Sequence, residues 1–222
     1  MAINSTTKDI FDLLSEAENK KLQLCSTTVH YRKGDIIFMQ KTPASHVMFI
    51  KSGLVKIYRE GRMNKSVILK LAMPGSFIGL LSVFGSDVHQ YSASTIEPCD
   101  IQIIEAGCFS EIIASNPNVA RKIIELISIK GLDLFDRLMS QTHKQLPGRI
   151  ADVLLYFSDK IYKSHRFSFP LTRRELAELA GTTKESFIRT LTEFKNDKII
   201  ELEGSEVEIK SMNLVRTLSE LG

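Results

Sequence analysis

The chain has 222 residues, 43% of them hydrophobic, which is enough for one large or two small packed domains and excludes an extended disordered chain. Its formal charge of +3 is too mild to mark a nucleic-acid binder on composition alone, and from Leu146 onward 12 Lys/Arg face 12 Asp/Glu. No basic-then-apolar leader opens the sequence, and no apolar run approaches the ~20 residues of a membrane span, so a cytoplasmic protein without a membrane partner is expected.

Residues 8–24 (KDIFDLLSEAENKKLQL) place Ile10, Leu13, Leu14, Ala17 and Leu24 at near-helical spacing, predicting one amphipathic N-terminal helix. From there to about Cys108 the texture changes to short apolar runs, "DIIF", "HVMFI", "LVKIY", "VILKL" and "IQII", punctuated by glycines. Many short strands at even spacing imply a β-sandwich or roll. Cys25, Cys99 and Cys108 form no C-x-x-C pair, so neither zinc nor an iron–sulfur cluster has its usual ligand spacing; they read as ordinary thiols, and no metal site is expected.

Asn116-Pro117 should open a helix, since Asn caps well and proline is preformed for the first helical position. Ala120, Ile124, Ile127, Gly131, Leu134, Leu138 and Gln141 then alternate at steps of four and three, a heptad seam of about three repeats. Such a helix can pack on its own sheet or pair with a second copy. The maintained 3.5-residue period points to a homodimer through Ile124, Ile127, Gly131, Leu134 and Leu138.

Pro147 and Gly148 mark a hinge or domain boundary, followed by a helix carrying Ile150, Val153, Leu154 and Phe157 on one face. Thr172 and Glu175 have capping-box spacing at the head of "TRRELAELA", Gly181 permits a sharp turn, and "GTTKESFIRTL" supplies the next helix. "KIIELEGSEVEIK" reads as two strands around Gly204 and Ser205. This is helix, turn, helix and wing.

In a helix starting at Thr182 or Thr183, Phe187, Leu191 and Phe194 face the core, while Lys184, Glu185 and Arg189 point outward within about 140° of one another. An outward Arg can donate to guanine O6 and N7, and a Glu can accept from cytosine N4, both in the major groove. The same residues also fit a plainer reading, with Thr182 and Glu185 as a capping box and Glu185 and Arg189 as an i,i+4 ion pair. Their place on the second helix of a winged helix–turn–helix favours base reading, with Arg173 and Arg174 set to meet phosphates.

The order of β-roll, long helix, hinge and winged helix–turn–helix, with "KGDIIF", "HVMFIKSGLVKIY", "MPGSFIGLLSVFG", "LPGRIADVLL" and "LTRRELAELAGTTKESFIRTL", resembles the cyclic-AMP receptor protein / fumarate–nitrate regulator (CRP/FNR) superfamily of bacterial transcription factors over nearly the whole chain. The resemblance implies an α+β chain in three parts. Residues 1–116 are an N-terminal helix and a double-stranded β-helix (a cyclic-nucleotide-binding-like jelly roll), 117–145 the dimerisation helix, and 146–222 the winged helix–turn–helix. It implies that Glu185 and Arg189 read a TGA-like core in each half of a palindrome, that Thr183 is a cap or phosphate contact and Arg173 a phosphate contact, and that RNA polymerase is a partner. Lys184 stands where the cyclic-AMP receptor has an arginine, and Ile188 where the fumarate–nitrate regulator has a serine.

Cyclic-AMP-binding relatives hold the nucleotide through a "GEL" segment, whose Glu takes a ribose hydroxyl, and a later Arg-Ser, whose Arg takes the phosphate. This chain has Gly79-Leu80-Leu81 and Tyr91-Ser92 there, and the adenine-contacting Thr-Ser positions fall on Leu134 and Phe135. Losing both charged partners argues against cyclic AMP. Gly79, Leu80, Leu81, Tyr91, Ser92, Leu134 and Phe135 are the effector-pocket candidates, either repacked or lined for an apolar ligand. Haem stays open through His30, His46, His89 and His143, as does a regulatory module that binds a small molecule without DNA. If an effector switches the protein, Gly131 and the hinge at Gln145 to Gly148 are where two states are expected. No H-x-H set, catalytic triad, P-loop or dinucleotide fingerprint supports an enzyme.

Overall fold

The computed structural model describes residues 8–61 and 66–222. It divides into two compact units, Met1–Lys65 with Leu69–Asp133, and Ser66–Ile68 with Leu134–Gly222, so the boundary falls inside the long helix α5 (Pro117–His143).

The first unit opens with two helices where one was expected, α1 (Lys8–Asp12) and α2 (Glu16–Leu24). Ser15 interrupts them. Its backbone is extended, its side chain accepts from the Glu18 N–H, and Glu18 reaches back to the Ser15 N–H, so a capping box starts a new helix in the middle of the apolar pattern. Strands β1 (Ser26–Tyr31), β2 (Ile36–Phe38), β3 (His46–Ser52), β4 (Val55–Glu60), β5 (Ser66–Ala72), β6 (Phe77–Ile78), β7 (Ser92–Thr95) and β8 (Cys99–Glu105) form two four-stranded sheets, ordered β1-β8-β3-β6 and β2-β7-β4-β5. A short helix α3 (Leu80–Gly85) follows β6, and α4 (Ala106–Ser115) follows β8.

Two apolar clusters hold this unit. Ile10, Val47, Phe49, Phe77, Leu80, Phe109 and Ile123 bring the helices onto one sheet, and Ile50, Ile57, Ala72, Ile78, Ala93 and Ile101 fill the space within the roll. Asn116 caps α5 as its sequence predicts, its Oδ1 accepting from the Asn118 and Val119 N–H groups at 3.1 and 3.2 Å.

Cys25 and Cys108, expected as independent thiols, are joined by a disulfide across a sequence separation of 83, with Cα atoms 6.4 Å apart. Packing of α2 beside α4, where Lys21 also pairs with Glu111, brings the two together. Cys99 alone is free; it is buried, which pushes its thiol up to about 11.

In the second unit α6 (Leu146–Leu155) carries Pro147 in its first turn, where a missing N–H is no loss, so the expected break begins a helix. It runs into a π-helical stretch at Tyr156–Tyr162, which ends at Lys163 with a left-handed backbone (φ 50°). Strand β9 (Arg166–Ser168), helices α7 (Arg173–Ala180) and α8 (Lys184–Asn196), strands β10 (Ile200–Glu203) and β11 (Glu206–Ile209), and helix α9 (Met212–Leu221) complete it. The two-stranded wing read from sequence is a three-stranded sheet, β10-β11-β9. Ile150, Leu154, Phe157, Leu176, Phe187, Leu191, Phe194, Val207 and Val215 are among the buried side chains of the second unit.

Candidate nucleic-acid interface and sensor site

Helix α8 is set by its cap and its turn. Thr183 is the N-cap, its Oγ1 accepting from the Ser186 N–H at 3.2 Å. Gly181 ends α7 with φ 66°, a left-handed backbone that favours glycine, and a Cβ there would have to push aside the flexible end of the Gln141 side chain. The surroundings of this turn were not legible in the sequence: Arg149 Nη1 donates to the Gly181 carbonyl at 3.2 Å and Arg137 Nη2 to that of Leu179 at 2.9 Å.

With Phe187, Thr190, Leu191 and Phe194 buried, α8 turns Lys184, Glu185, Ile188 and Arg189 to solvent. The plainer reading of these residues is not what the structure holds. Thr183, not Thr182, caps the helix, and among the described residues Glu185 and Arg189 form no salt bridge, which leaves both heads unengaged. Arg174 is exposed and paired with Glu178 at 3.1 Å.

Arg173, expected to meet a phosphate, is engaged within its own unit. Its Nη2 donates to the Gly204 carbonyl in the wing turn, its guanidinium lies 5.4 Å over the Phe169 ring, and Nη1 is buried. A guanidinium spent on a carbonyl and a ring braces the wing against α7.

In the roll, Gly79 has a left-handed backbone at the head of α3, and its N–H donates to the Tyr91 hydroxyl at 3.1 Å. The phenol thus supplies the acceptor for that N–H, and burial raises its own pKa. Leu80 is 2% exposed and belongs to the core cluster that holds Phe77 and Phe109. Leu81 faces solvent, and Ser92 Oγ accepts from the Gln40 N–H at 2.9 Å. Leu134 and Phe135 are exposed and belong to the second unit.

The histidines are dispersed. His30 Nδ1 meets Asp100 at 2.9 Å, His46 Nδ1 meets Ser45 Oγ at 2.8 Å, and His89 is buried with its ring stacked 3.9 Å from Phe38. His143 lies in the last turn of α5. Among the described residues no three His, Cys, Asp or Glu side chains come together as a metal-holding group.

The roll contains one charged feature that the sequence reading passed over. On β5 Ile68 and Ala72 are buried, and Lys70 sits between them on the same face, half-buried. Lys130 on α5 donates to the Phe77 carbonyl at 2.9 Å. Burial first, and then the Lys70 ammonium, bring Lys130 down to about 7 against the opposing pull of Asp133. The lysine interrupting the apolar run "VILKL" was the available signal.

Residues 28–116 match the model of the cyclic nucleotide-binding domain, and residues 148–218 that of the Crp-like helix-turn-helix domain. Over 185 residues the chain is 25% identical to the CRP-like cAMP-activated global transcriptional regulator of Mycobacterium tuberculosis (strain CDC 1551 / Oshkosh), covering 82% of this chain and 83% of that one. It is 24% identical over 182 residues to the transcriptional activator protein FnrA of Stutzerimonas stutzeri, covering 80% and 74%. The structure of FixK2 from Bradyrhizobium japonicum superposes with a TM-score of 0.79 at 21% identity, covering 87% of this chain and 96% of that one. The chain belongs to the CRP/FNR family. It is a DNA-binding transcription regulator with a cyclic-nucleotide-binding-like domain, in a family of regulators rather than enzymes. Among the described residues no helix is long and apolar enough to cross a membrane.

Proposed function

We propose that the chain acts in the cytoplasm as a homodimer that reads a palindromic promoter site with TGA-like half-sites, and that it contacts RNA polymerase directly or excludes it. The observation that carries the reading is the pair Glu185 and Arg189, one helical turn apart on the exposed side of α8 and not bonded to each other. Arg189 donates to a guanine and Glu185 accepts from the cytosine amino group. Thr183, Lys184 and Arg174 meet the backbone or the outer bases; Arg173 acts by holding the wing.

Dimerisation uses the exposed apolar stripe of α5, in which Ile124, Leu134 and Leu138 are 65%, 60% and 57% exposed. Ile127 contributes less, because it packs partly on the roll core. Two copies place two α8 helices on half-sites roughly 10 base pairs apart. The Tyr91 hydroxyl on the Gly79 N–H and the burial of Leu80 argue against cyclic AMP as the effector.

Selection of sites from a random duplex pool, with no effector added, tests the reading. An enriched palindrome with TGA-like half-sites supports it; no enrichment with or without haem, nitric oxide or cyclic nucleotides favours a regulatory module that does not bind DNA.

A further inference from the structure

We propose that Ile188 is a base-reading residue, and that it selects a thymine in each half-site by contact with the C5 methyl group. This deepens the proposed reading of α8 as the recognition helix and rests on it.

Phe187, Thr190, Leu191 and Phe194 turn into the core from α8. The opposite side runs from Lys184 and Glu185 to Lys195 and Asn196, and among the described residues of that exposed side Ile188 is the one apolar side chain, 39% exposed. At 3.6 residues per turn Ile188 lies about 40° around the axis from Lys184 and about 60° from Glu185. It therefore stands between them and one turn further along, inside the outward face rather than at its edge with the core. Thr192, the next residue in the row of Lys184 and Ile188, donates its hydroxyl to the Ile188 carbonyl at 2.9 Å. That hydroxyl is turned back on the helix, and the row presents apolar surface beyond its lysine.

A single exposed isoleucine elsewhere on a surface calls for no account, and helix propensity does not ask for one, since Ile is a poorer helix former than the lysine or glutamate beside it. On a face that enters the major groove, its chemistry narrows the partner. The thymine methyl is the one apolar group that a base pair presents there. Guanine, adenine and cytosine present donors and acceptors, which an isoleucine strips of water without pairing. Contact with the methyl removes two apolar surfaces from water, and the mismatch with the other bases adds rejection to attraction. Because Ile188 is flanked by Glu185 and Arg189, the thymine belongs beside the G·C pair assigned to those two.

The duplex enriched by the site selection, titrated with the full chain, tests this. Each thymine of the half-site is replaced in turn, in both halves, by deoxyuridine, which removes the methyl and keeps every hydrogen-bonding group. One replacement should weaken binding by about three- to fivefold per half-site, the loss that goes with one methyl-sized group returned to water. In Ile188→Ser the same uridine should cost less than about twofold, because the apolar partner is already gone. Ile188→Val keeps a branched apolar side chain and should retain most of the parent's loss.

A parent chain indifferent to every uridine overturns the proposal. So does an unchanged uridine loss in Ile188→Ser, which assigns the methyl to another side chain. A selection that enriches no duplex removes the reading of α8 and this proposal together; an enriched duplex without a methyl effect removes this proposal alone.

Discussion

In the proposed reading Arg189 is the residue on which sequence specificity would turn. An exposed guanidinium without an intramolecular partner loses nothing on leaving solvent except hydration, which guanine O6 and N7 replace. Arg189→Ala should weaken binding by about 1–3 kcal/mol per half-site and flatten preference at one base, measured by titration against matched and substituted duplexes. Equal loss on specific and random DNA would instead make Arg189 a phosphate contact. Gly181 operates through geometry. Gly181→Val should destabilise the second unit by more than about 1 kcal/mol, since a side chain must tolerate φ 66° and displace Gln141, as urea unfolding would report. The glycine was legible from its place between two helices. Gln141, on a helix about forty positions earlier, was not, because nothing local in the sequence ties it to that turn.

Among the elements, periodicity identified what it measures. The capping box of α7, the cap of α5 and the wing hairpin follow from local chemistry and appear where their residues place them. The break between α1 and α2 was missed because apolar spacing continues across Ser15 while the backbone does not; the Ser15 and Glu18 pair was the legible sign. Strand β9 was missed because "RFS" is too short to show alternation and is a strand only by virtue of β11. The disulfide joins elements that local rules cannot relate. Cys25→Ser should lower the stability of the oxidised first unit by roughly 2–5 kcal/mol, the range for closing a loop of this length, and a reducing agent should produce a similar loss in the parent chain but none in the variant. Lys130, bridging α5 and β6, makes the pH dependence specific. Its folded pKa of about 7 lies below the ordinary value of 10.5, so between these limits the unfolded chain binds more protons. Stability should therefore rise with pH across that window, with the penalty full below about 7. Denaturation of the parent chain and of Lys130→Met at several pH values should show this slope in the first and its reduction in the second.

For the whole molecule, the proposed dimer would rest on α5, whose apolar side is left to solvent. Ile124, Leu132, Leu134, Phe135, Leu138 and Met139 are all more than half exposed, an apolar stripe longer than isolated chains ordinarily display. Leu138→Glu should shift the sedimenting species from dimer to monomer and abolish cooperative binding to a palindrome while leaving a single half-site recognisable at low salt. The link between α5 and α6, read from sequence as a hinge or domain boundary, is braced: Ser140, Lys144 and Ser219 all bond Asp152, at 2.6, 2.7 and 2.5 Å. Any motion there must break charged contacts, which favours discrete states over continuous bending.

The Tyr91 hydroxyl on the Gly79 N–H also bears on how this roll could be reached from, or returned to, one that holds a nucleotide. Replacing Tyr91 by arginine would restore a guanidinium but strand the N–H, and replacing Leu80 by glutamate would set a carboxylate among Phe77 and Phe109. Each step alone impairs packing before it yields a ligand contact. The two versions of the domain are thus separated by a fitness valley, passable through simultaneous change or through a lineage stable enough to tolerate the intermediate.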